Sequence, residues 1–327
     1  MHNPQVKAIR IIELLLLSSA LVLFVVGSIL EDTFFLRLAT EALIFGGLAM
    51  SVDLLLGIVG LLSLGQAFYF GFGAYLSALV LKEISPSFFL AIGIVTLSSI
   101  VLGWIASFIA LRSKGVYFAL ITFGLAQVAA KIVYNTRSLG ASDGMMGVPI
   151  LQISTPFGSI DTSHPGAFFL ITLLTIGVLY AVLKYFLTTP MGSIWHAIRC
   201  NEDRLAYVGY KSKGPKQVAF ILAAVVAAVS GALYPMLRGF VSPELMFFSV
   251  SGNAVVTVVL GGVGTLIGPI LGSVLLTLFK SIIGTWTVHH HIIIGIVFVV
   301  IVVSAPKGLA GLFAKYLGKK HPNKGGE

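Results

Sequence analysis

Apolar segments with the length of a membrane-spanning helix recur along the whole chain. A helix that crosses the hydrocarbon core of a bilayer needs about 20 mostly apolar residues. Segments of this kind are found at 11–30, 88–111, 116–135, 167–187, 217–237 and 289–305. Because only helices and closed barrels satisfy their backbone polar groups in lipid, this series predicts an all-α, polytopic transmembrane bundle.

Composition agrees with a membrane protein. Only 10% of the 327 residues are charged, whereas a soluble domain carries about 25%. The single cysteine, Cys200, excludes an internal disulfide and a cysteine-based metal cluster. We interpret residues 1–327 as one domain whose membrane bundle covers 11–305. The segment 11–30 is longer than the apolar part of a signal peptide and lacks a clear cleavage site, so we expect a retained first helix.

Two further apolar stretches, 38–82 and 246–284, are too long for one crossing and contain glycines near their middle. If each crosses twice, the chain has ten spans. Eight remain possible if each holds a re-entrant segment and crosses once. Lys and Arg collect in alternate loops, which predicts that both termini are cytoplasmic. The net charge of +9 is therefore an orientation signal, and we expect no nucleic-acid partner.

This orientation assigns the longer connections to opposite sides of the membrane. The segment 136–166 is predicted to be extracytoplasmic. The segment 188–216 is predicted to be cytoplasmic, and 306–327 forms a basic cytoplasmic tail.

The two glycine-containing stretches share the pattern L-G-x-V-G. The first copy runs from Leu56 to Gly60 and the second from Leu260 to Gly264. Interrupted helices in internal repeats are typical of transporter cores, where unwound backbone lines the pathway. The alternative is close helix packing through small residues.

Ionisable residues inside membrane segments are candidates for function. Glu13, Lys131 and Lys280 lie close enough to predicted helix ends to reach the interface, and Glu41 is expected at an outer interface. Asp53 precedes the first glycine break. It could polarise a pathway or cap the helix after the break, or it could be a hydrogen-bonded structural carboxylate.

The segment 189–210 reads TPMGSIWHAIRCNEDRLAYVGY and separates two predicted spans on the basic side. Its apolar residues form one stripe at helical spacing: Ile194, Ala197, Ile198, Leu205 and Val208. The pattern predicts a short amphipathic helix along the membrane, which is either an interfacial anchor or a mechanical contact surface.

Four segments together resemble the LivM-type permeases of ABC importers for branched-chain amino acids. They are 189–210 and, in addition, 53–77 (DLLLGIVGLLSLGQAFYFGFGAYLS), 115–128 (GVYFALITFGLAQV) and 139–149 (LGASDGMMGVP). The resemblance extends from about residue 40 to residue 312. Departures from the family pattern are Asp53 in place of an amide, Gln66 in place of a histidine, and the apolar run Ser193-Ile194-Trp195.

The resemblance implies a permease subunit in the inner (plasma) membrane of a bacterium, with branched-chain amino acids as substrates. Its implied partners are two cytoplasmic ATP-binding subunits, a second related permease and an extracytoplasmic solute-binding protein. Residues implied to contact an ATPase are Ala197, Ile198, Arg199, Asn201, Glu202, Asp203, Arg204 and Gly209. Candidate residues of the translocation path are Asp53, Gly57, Gly60, Gly65, Gln66, Ser142, Asp143, Gly261 and Gly264.

The chain itself lacks a G-x-x-x-x-G-K-[ST] phosphate loop, so ATP would be bound by partner subunits and no cofactor is expected here. No hydrolase or zinc-protease motif predicts an enzyme. His289, His290 and His291 point in different directions on a helix, so we expect no metal site. Open alternatives are transport of urea, short amides or other small solutes, and an ion-driven secondary transporter.

Overall fold

The computed structural model describes residues 33–149, 152–155, 158–161 and 165–286, together with positions 292, 295, 296 and 308. Apart from those single positions, the predicted first helix (11–30), the last span (289–305) and the tail (306–327) lie outside the described residues. Within the described part, the protein is a helical bundle with short strands at one end.

The helices are α1 (Thr33–Asp53), α2 (Gln66–Leu79), α3 (Phe88–Ala110), α4 (Val116–Asn135), α5 (Pro165–Thr188), α6 (Pro190–Tyr207), α7 (Lys213–Arg238), α8 (Phe248–Gly261) and α9 (Gly268–Trp286). Two π-helical turns, Leu54–Val59 and Val80–Ile84, extend α1 and α2. Short 3₁₀ turns cover Arg137–Leu139, Ala141–Asp143 and Pro243–Met246. The strands are β1 (Met145–Met146), β2 (Gln152–Thr155), β3 (Gly158–Asp161) and β4 (Phe240–Val241).

Six helical segments of the described chain are long and apolar enough to cross a membrane. They are Thr33–Val59, Gln66–Ile84, Phe88–Ala110, Val116–Asn135, Pro165–Thr188 and Lys213–Arg238. The stretch 38–82 thus contains two such helices. The stretch 246–284 also contains two helices, but α8 has only 14 residues, or about 21 Å at 1.5 Å per residue. The chain is a multi-pass membrane protein.

Helix α1 occupies the centre of the bundle and packs on α5, α7, α8 and α9. Small residues permit this contact. A methyl group added at Gly47 would overlap Ser230 of α7 and Ile176 of α5. The α2–α7 interface is built in the same way, since Gly73 and Gly231 each lie directly against a carbonyl of the other helix. Close approach through small residues is how helices associate in lipid.

Helices α3, α4 and α5 form the outer part of the bundle. Large apolar side chains such as Leu97, Val128 and Leu174 are more than 60% exposed. In water such a surface would drive aggregation, but in a bilayer it faces lipid chains.

The two ends of the bundle are structurally different. At one end, β1 pairs antiparallel with β4, and the Val148 amide donates to the Gly239 carbonyl, which ties the loop after α4 to the end of α7. A second antiparallel pair, β2 with β3, belongs to the same connection. At the other end, α6 joins α5 to α7. The predicted outer and inner loops therefore lie at opposite ends.

Candidate functional site

Helix α1 does not end in a regular turn. After Asp53 the backbone widens into the π-helical turn Leu54–Val59, and Gly60 has the positive φ of +85°. Residues 60–65 are not helical, and α2 begins at Gln66. This is the first of the two predicted glycine breaks. Its C-terminal side is fixed by α4 and α8: the Leu64 amide donates to Thr122 Oγ1, and the Ala67 amide donates to Ser251 Oγ.

The second break, between α8 and α9, lies directly against the first. The carboxylate of Asp53 accepts hydrogen bonds from the Gly264 amide at 2.6 Å and from the Leu266 amide at 2.9 Å. Asp53 is fully buried. Hydrogen bonds to an ionised acceptor are stronger than neutral ones. The contacts match the reading of Asp53 as a hydrogen-bonded structural carboxylate, but the amides belong to the other repeat and not to the helix after its own break.

Arg199 of the α5–α7 connection contacts the same place. Its Nη1 donates a hydrogen bond to the Gly57 carbonyl, and its charge interacts favourably with the Asp53 carboxylate. The Cα and Cβ of Arg199 lie close to Gly60. We call the group Asp53, Gly57, Arg199, Gly264 and Leu266 the break junction. It joins the α5–α7 connection to both glycine breaks.

Glycine is required at the junction for two reasons. A Cβ at Gly57 would overlap Asp53 Oδ1 and the Gly264 backbone. Gly264 has φ +83° and lies against the Gly57 carbonyl. Positive φ is accessible to glycine with little strain. Close packing and an irregular backbone thus coincide here, so the two interpretations of the glycine pattern are not exclusive.

The remaining candidate path residues are not members of the junction, although some of them lie in the same breaks. Gly261 packs against the Gly268 carbonyl within the second break, and Gly65 packs against the Thr122 carbonyl. Gln66 is buried at the start of α2, with Nε2 3.4 Å from Ser63 Oγ. Ser142 and Asp143 are exposed at the opposite end of the bundle, where Ser142 Oγ donates to Asp143 Oδ1. The structure does not bring these two residues near the breaks.

The predicted amphipathic helix is two helical pieces. Asn201 has φ −167° and ψ 103°, and its side-chain oxygen accepts from the Arg204 amide, so it caps the second piece. The kink at Asn201 changes which side chains of the segment are buried. Ile198 is buried, but Val208, predicted on the apolar stripe, is 76% exposed. Val208 follows the last residue of α6, and the helical spacing that would align it with Ile198 does not continue through Asn201.

Acidic residues of this segment bind basic residues of the same chain. Glu202 Oε2 lies 2.5 Å from Lys216 Nζ, and Ser212 Oγ donates to Glu202 Oε1. Partial burial acts to raise the pKa of Glu202, but the hydrogen bonds and charge of Lys216, with help from Ser212 and Lys114, outweigh it and lower the pKa. Asp203 forms a more exposed 3.5 Å pair with Lys114. Glu202 therefore anchors α6 to α7.

Trp195 is a structural residue of the segment that sequence reasoning did not single out. Its side chain is completely buried, and Nε1 donates to the Pro215 carbonyl at 2.8 Å. The indole also stacks on Phe186 at the end of α5. The signal was the apolar run Ser193-Ile194-Trp195, which departs from the family pattern within the predicted amphipathic segment. Beyond Asn201, Tyr207 and Tyr210 are exposed.

Among the residues that the structure describes, no group of three or more His, Cys, Asp or Glu side chains could hold a metal ion. The predicted absence of a histidine metal site concerns 289–291, which lie outside the described residues. Cys200, beside Arg199, is exposed.

Comparison of the amino-acid sequence with known proteins identifies a family and several relatives. The family model described as "Branched-chain amino acid transport system / permease component" matches residues 34–302. The permease protein LivM of the high-affinity branched-chain amino acid transport system of Escherichia coli K12 is 26% identical, over 99% of this chain and 81% of that protein. The LivH permease of Salmonella typhimurium is 22% identical, over 81% of this chain and 90% of its own length. No solved structure matches the chain.

Proposed function

Because this chain belongs to the family of permease components of branched-chain amino acid transport systems, we propose that it forms part of the translocation path of a bacterial ABC importer for these amino acids. It acts in the inner membrane with a second, related permease. Two cytoplasmic ATP-binding subunits supply energy, and an extracytoplasmic solute-binding protein delivers the substrate. Ten spans with both termini in the cytoplasm fit this role.

The observation that carries the proposal is the break junction. Arg199 lies on the connection predicted to be cytoplasmic, and its guanidinium donates to the carbonyl of Gly57 in the first break. Asp53 joins that break to the second one through Gly264 and Leu266. A displacement of α6 is thereby transmitted to two unwound points of the bundle, where the backbone has the fewest helical hydrogen bonds to lose.

The mechanism follows from this connection. Closure of the ATP-binding subunits displaces α6, which Trp195 and Glu202 hold to α5 and α7 as a rigid element. Arg199 moves with it, and the two breaks rearrange together because Asp53 binds them to each other. Such a two-state element converts a nucleotide-dependent motion into alternating access.

The test uses the purified importer, with all its subunits, in proteoliposomes. Arg199→Ala should lower ATP-driven leucine uptake at least about tenfold, or about 1.4 kcal/mol of coupling energy, while the ATPase subunits keep hydrolysing ATP. Arg112→Ala is the matched control, since Arg112 lies on the same side and makes no side-chain hydrogen bond with described residues. Normal uptake and coupling in Arg199→Ala would contradict the proposed role of the junction.

A separate measurement tests the importer itself. Vanadate, which traps ABC ATPases, should abolish uptake, whereas a protonophore should leave it intact. Uptake that survives vanadate and collapses with the protonophore would instead indicate an ion-driven transporter.

A further inference from the structure

A cavity of about 450 Å³ opens between α1, α8 and α9, near the end of α7. Its lining on α1 runs from Phe34 to Leu48, so it occupies the half of the bundle away from the break junction. Leu48, the last lining residue along α1, lies five positions before Asp53, or about 7.5 Å along a helix that rises 1.5 Å per residue. The volume is in the range of small-molecule sites.

Charged groups of both signs line this cavity. Glu41 and Arg238 form an ion pair of 2.6 Å at its wall. Lys280 also lines it, is partly buried, and makes no hydrogen bond or ion pair with any residue that the structure describes. The sequence predicted Glu41 and Lys280 as interface residues, but the structure places both on one cavity. An ammonium group in a membrane helix without a fixed partner is costly and marks a functional site.

The rest of the lining is suited to an aliphatic group. Phe45, Leu48 and Leu276 contribute apolar surface, and Asn253 and Thr257 of α8 add neutral hydrogen-bonding groups. The wall is held in place, since Ser273 Oγ donates to the Ala42 carbonyl and joins α9 to α1. One carboxylate, two cations and an apolar surface on one cavity fit a zwitterion with an aliphatic side chain.

We propose that this cavity is the substrate site of the permease. Lys280 binds the α-carboxylate of a branched-chain amino acid, Glu41 accepts hydrogen bonds from its α-ammonium group, and the side chain packs on Phe45 and Leu48. Arg238 holds the Glu41 carboxylate in position through their ion pair. The assignment rests on the proposed function for the identity of the substrate class. It also places the site between the outer end and the break junction, which closes the path below it.

The test measures direct binding of radiolabelled leucine to the purified importer in nanodiscs, without the solute-binding protein, alongside ATP-driven uptake with it. Lys280→Met should lower leucine affinity and the uptake rate at least about tenfold. Lys280→Arg keeps the charge and should stay within about threefold of the unmodified protein, which separates loss of binding from loss of folding. Lys131→Met is the matched control, a lysine on a membrane helix that does not line the cavity.

Competitors that lack one charged group assign the two contacts. 4-Methylpentanoate has no ammonium group, and 3-methylbutylamine has no carboxylate. Both should compete poorly with leucine in the unmodified protein. In Lys280→Met, 3-methylbutylamine should compete as well as unlabelled leucine does, because the contact to the carboxylate is gone. In Glu41→Gln, 4-methylpentanoate should compete as well as unlabelled leucine, because the contact to the ammonium group is gone.

The outcomes distinguish this assignment from the proposed function. ATP-driven uptake and leucine binding that are equal in Lys280→Met and the unmodified protein would overturn the cavity assignment and leave the importer function standing. Absence of direct leucine binding to an active importer would overturn it as well. Leucine binding that requires Lys280, in a protein without ATP-driven uptake, would support the cavity and overturn the importer function.

Discussion

The carboxylate of Asp53 accepts a hydrogen bond from the amide of Gly264, a residue 211 positions further along the chain. This bond, together with the one from Leu266, ties the end of α1 to the connection between α8 and α9. The two halves of the internal repeat therefore meet through one buried side chain. Arg199 then joins the α5–α7 connection to the same point.

Replacement of Asp53 should have graded effects. Asp53→Asn keeps one acceptor oxygen, so one of the two amides loses its partner. Asp53→Leu leaves both amides without this acceptor, at about 1–3 kcal/mol for the buried amide of Leu266 and less for Gly264, which is exposed. The unfolding temperature of the purified permease should fall further in Asp53→Leu than in Asp53→Asn. Asp143→Asn, at an exposed site, is the control, and equal unfolding temperatures in all four proteins would refute the structural role.

Gly57→Ala should distort the break junction, because the added methyl group would overlap Asp53 Oδ1 and the Gly264 amide. Strain of this kind costs about 1–3 kcal/mol. The expected result is a lower unfolding temperature together with slower leucine uptake. Gly252→Ala on α8 is the matched control, since a methyl group added there would have no atom of another element within 4 Å. A stable and fully active Gly57→Ala protein would show that the two breaks are not in contact.

Trp195 should be needed to hold α6 against the bundle. Trp195→Phe removes the hydrogen bond to the Pro215 carbonyl, which should cost about 0.5–1.5 kcal/mol. Trp195→Ala adds a cavity and should cost about 3–5 kcal/mol. Trp104→Phe is the control because that indole is 51% exposed on the outer part of the bundle. The measurements are the unfolding temperature and the rate of protease cleavage in the α5–α7 connection. Equal values for the Trp195 and Trp104 variants would contradict the role of Trp195 in holding α6.

The ion pair of Glu202 with Lys216 should make stability depend on pH in a defined direction. Since the folded-state pKa of Glu202 is lowered, its contribution is complete above the ordinary pKa of 4.5. It is lost as the pH falls through the lower folded-state value. Glu202→Gln should therefore be about 1–3 kcal/mol less stable at pH 7, because Lys216 is only 8% exposed, and the difference should vanish in strong acid.

Asp203→Asn is the comparison for this prediction. Its pair with Lys114 is 80% exposed on the aspartate side and 70% on the lysine side, so we expect a change of at most about 1 kcal/mol. Unfolding temperatures of the three proteins across pH 3–8 provide the measurement. A Glu202→Gln difference that grows toward acid would have the wrong sign.

Several features of the fold were predicted by local pattern. Runs of apolar residues predicted the membrane helices, and the L-G-x-V-G repeats predicted where 38–82 and 246–284 divide; the structure has two helices in each stretch. The helical character of 190–207 was also predicted. The break at Asn201 was not, because an asparagine in a helical pattern is a weak signal and its capping contact with Arg204 depends on backbone geometry.

The sequence by itself determined that this chain resides in a membrane, that glycines interrupt two of its apolar stretches, and that an amphipathic segment separates two spans. These properties depend on composition and spacing within about 20 residues. Only the tertiary structure decided which groups meet: Asp53 with Gly264, Arg199 with Gly57, and Glu41 and Lys280 on one cavity. Hydrogen bonds and ion pairs act over a few ångströms, and residues so far apart in the chain come that close only when the helices are packed.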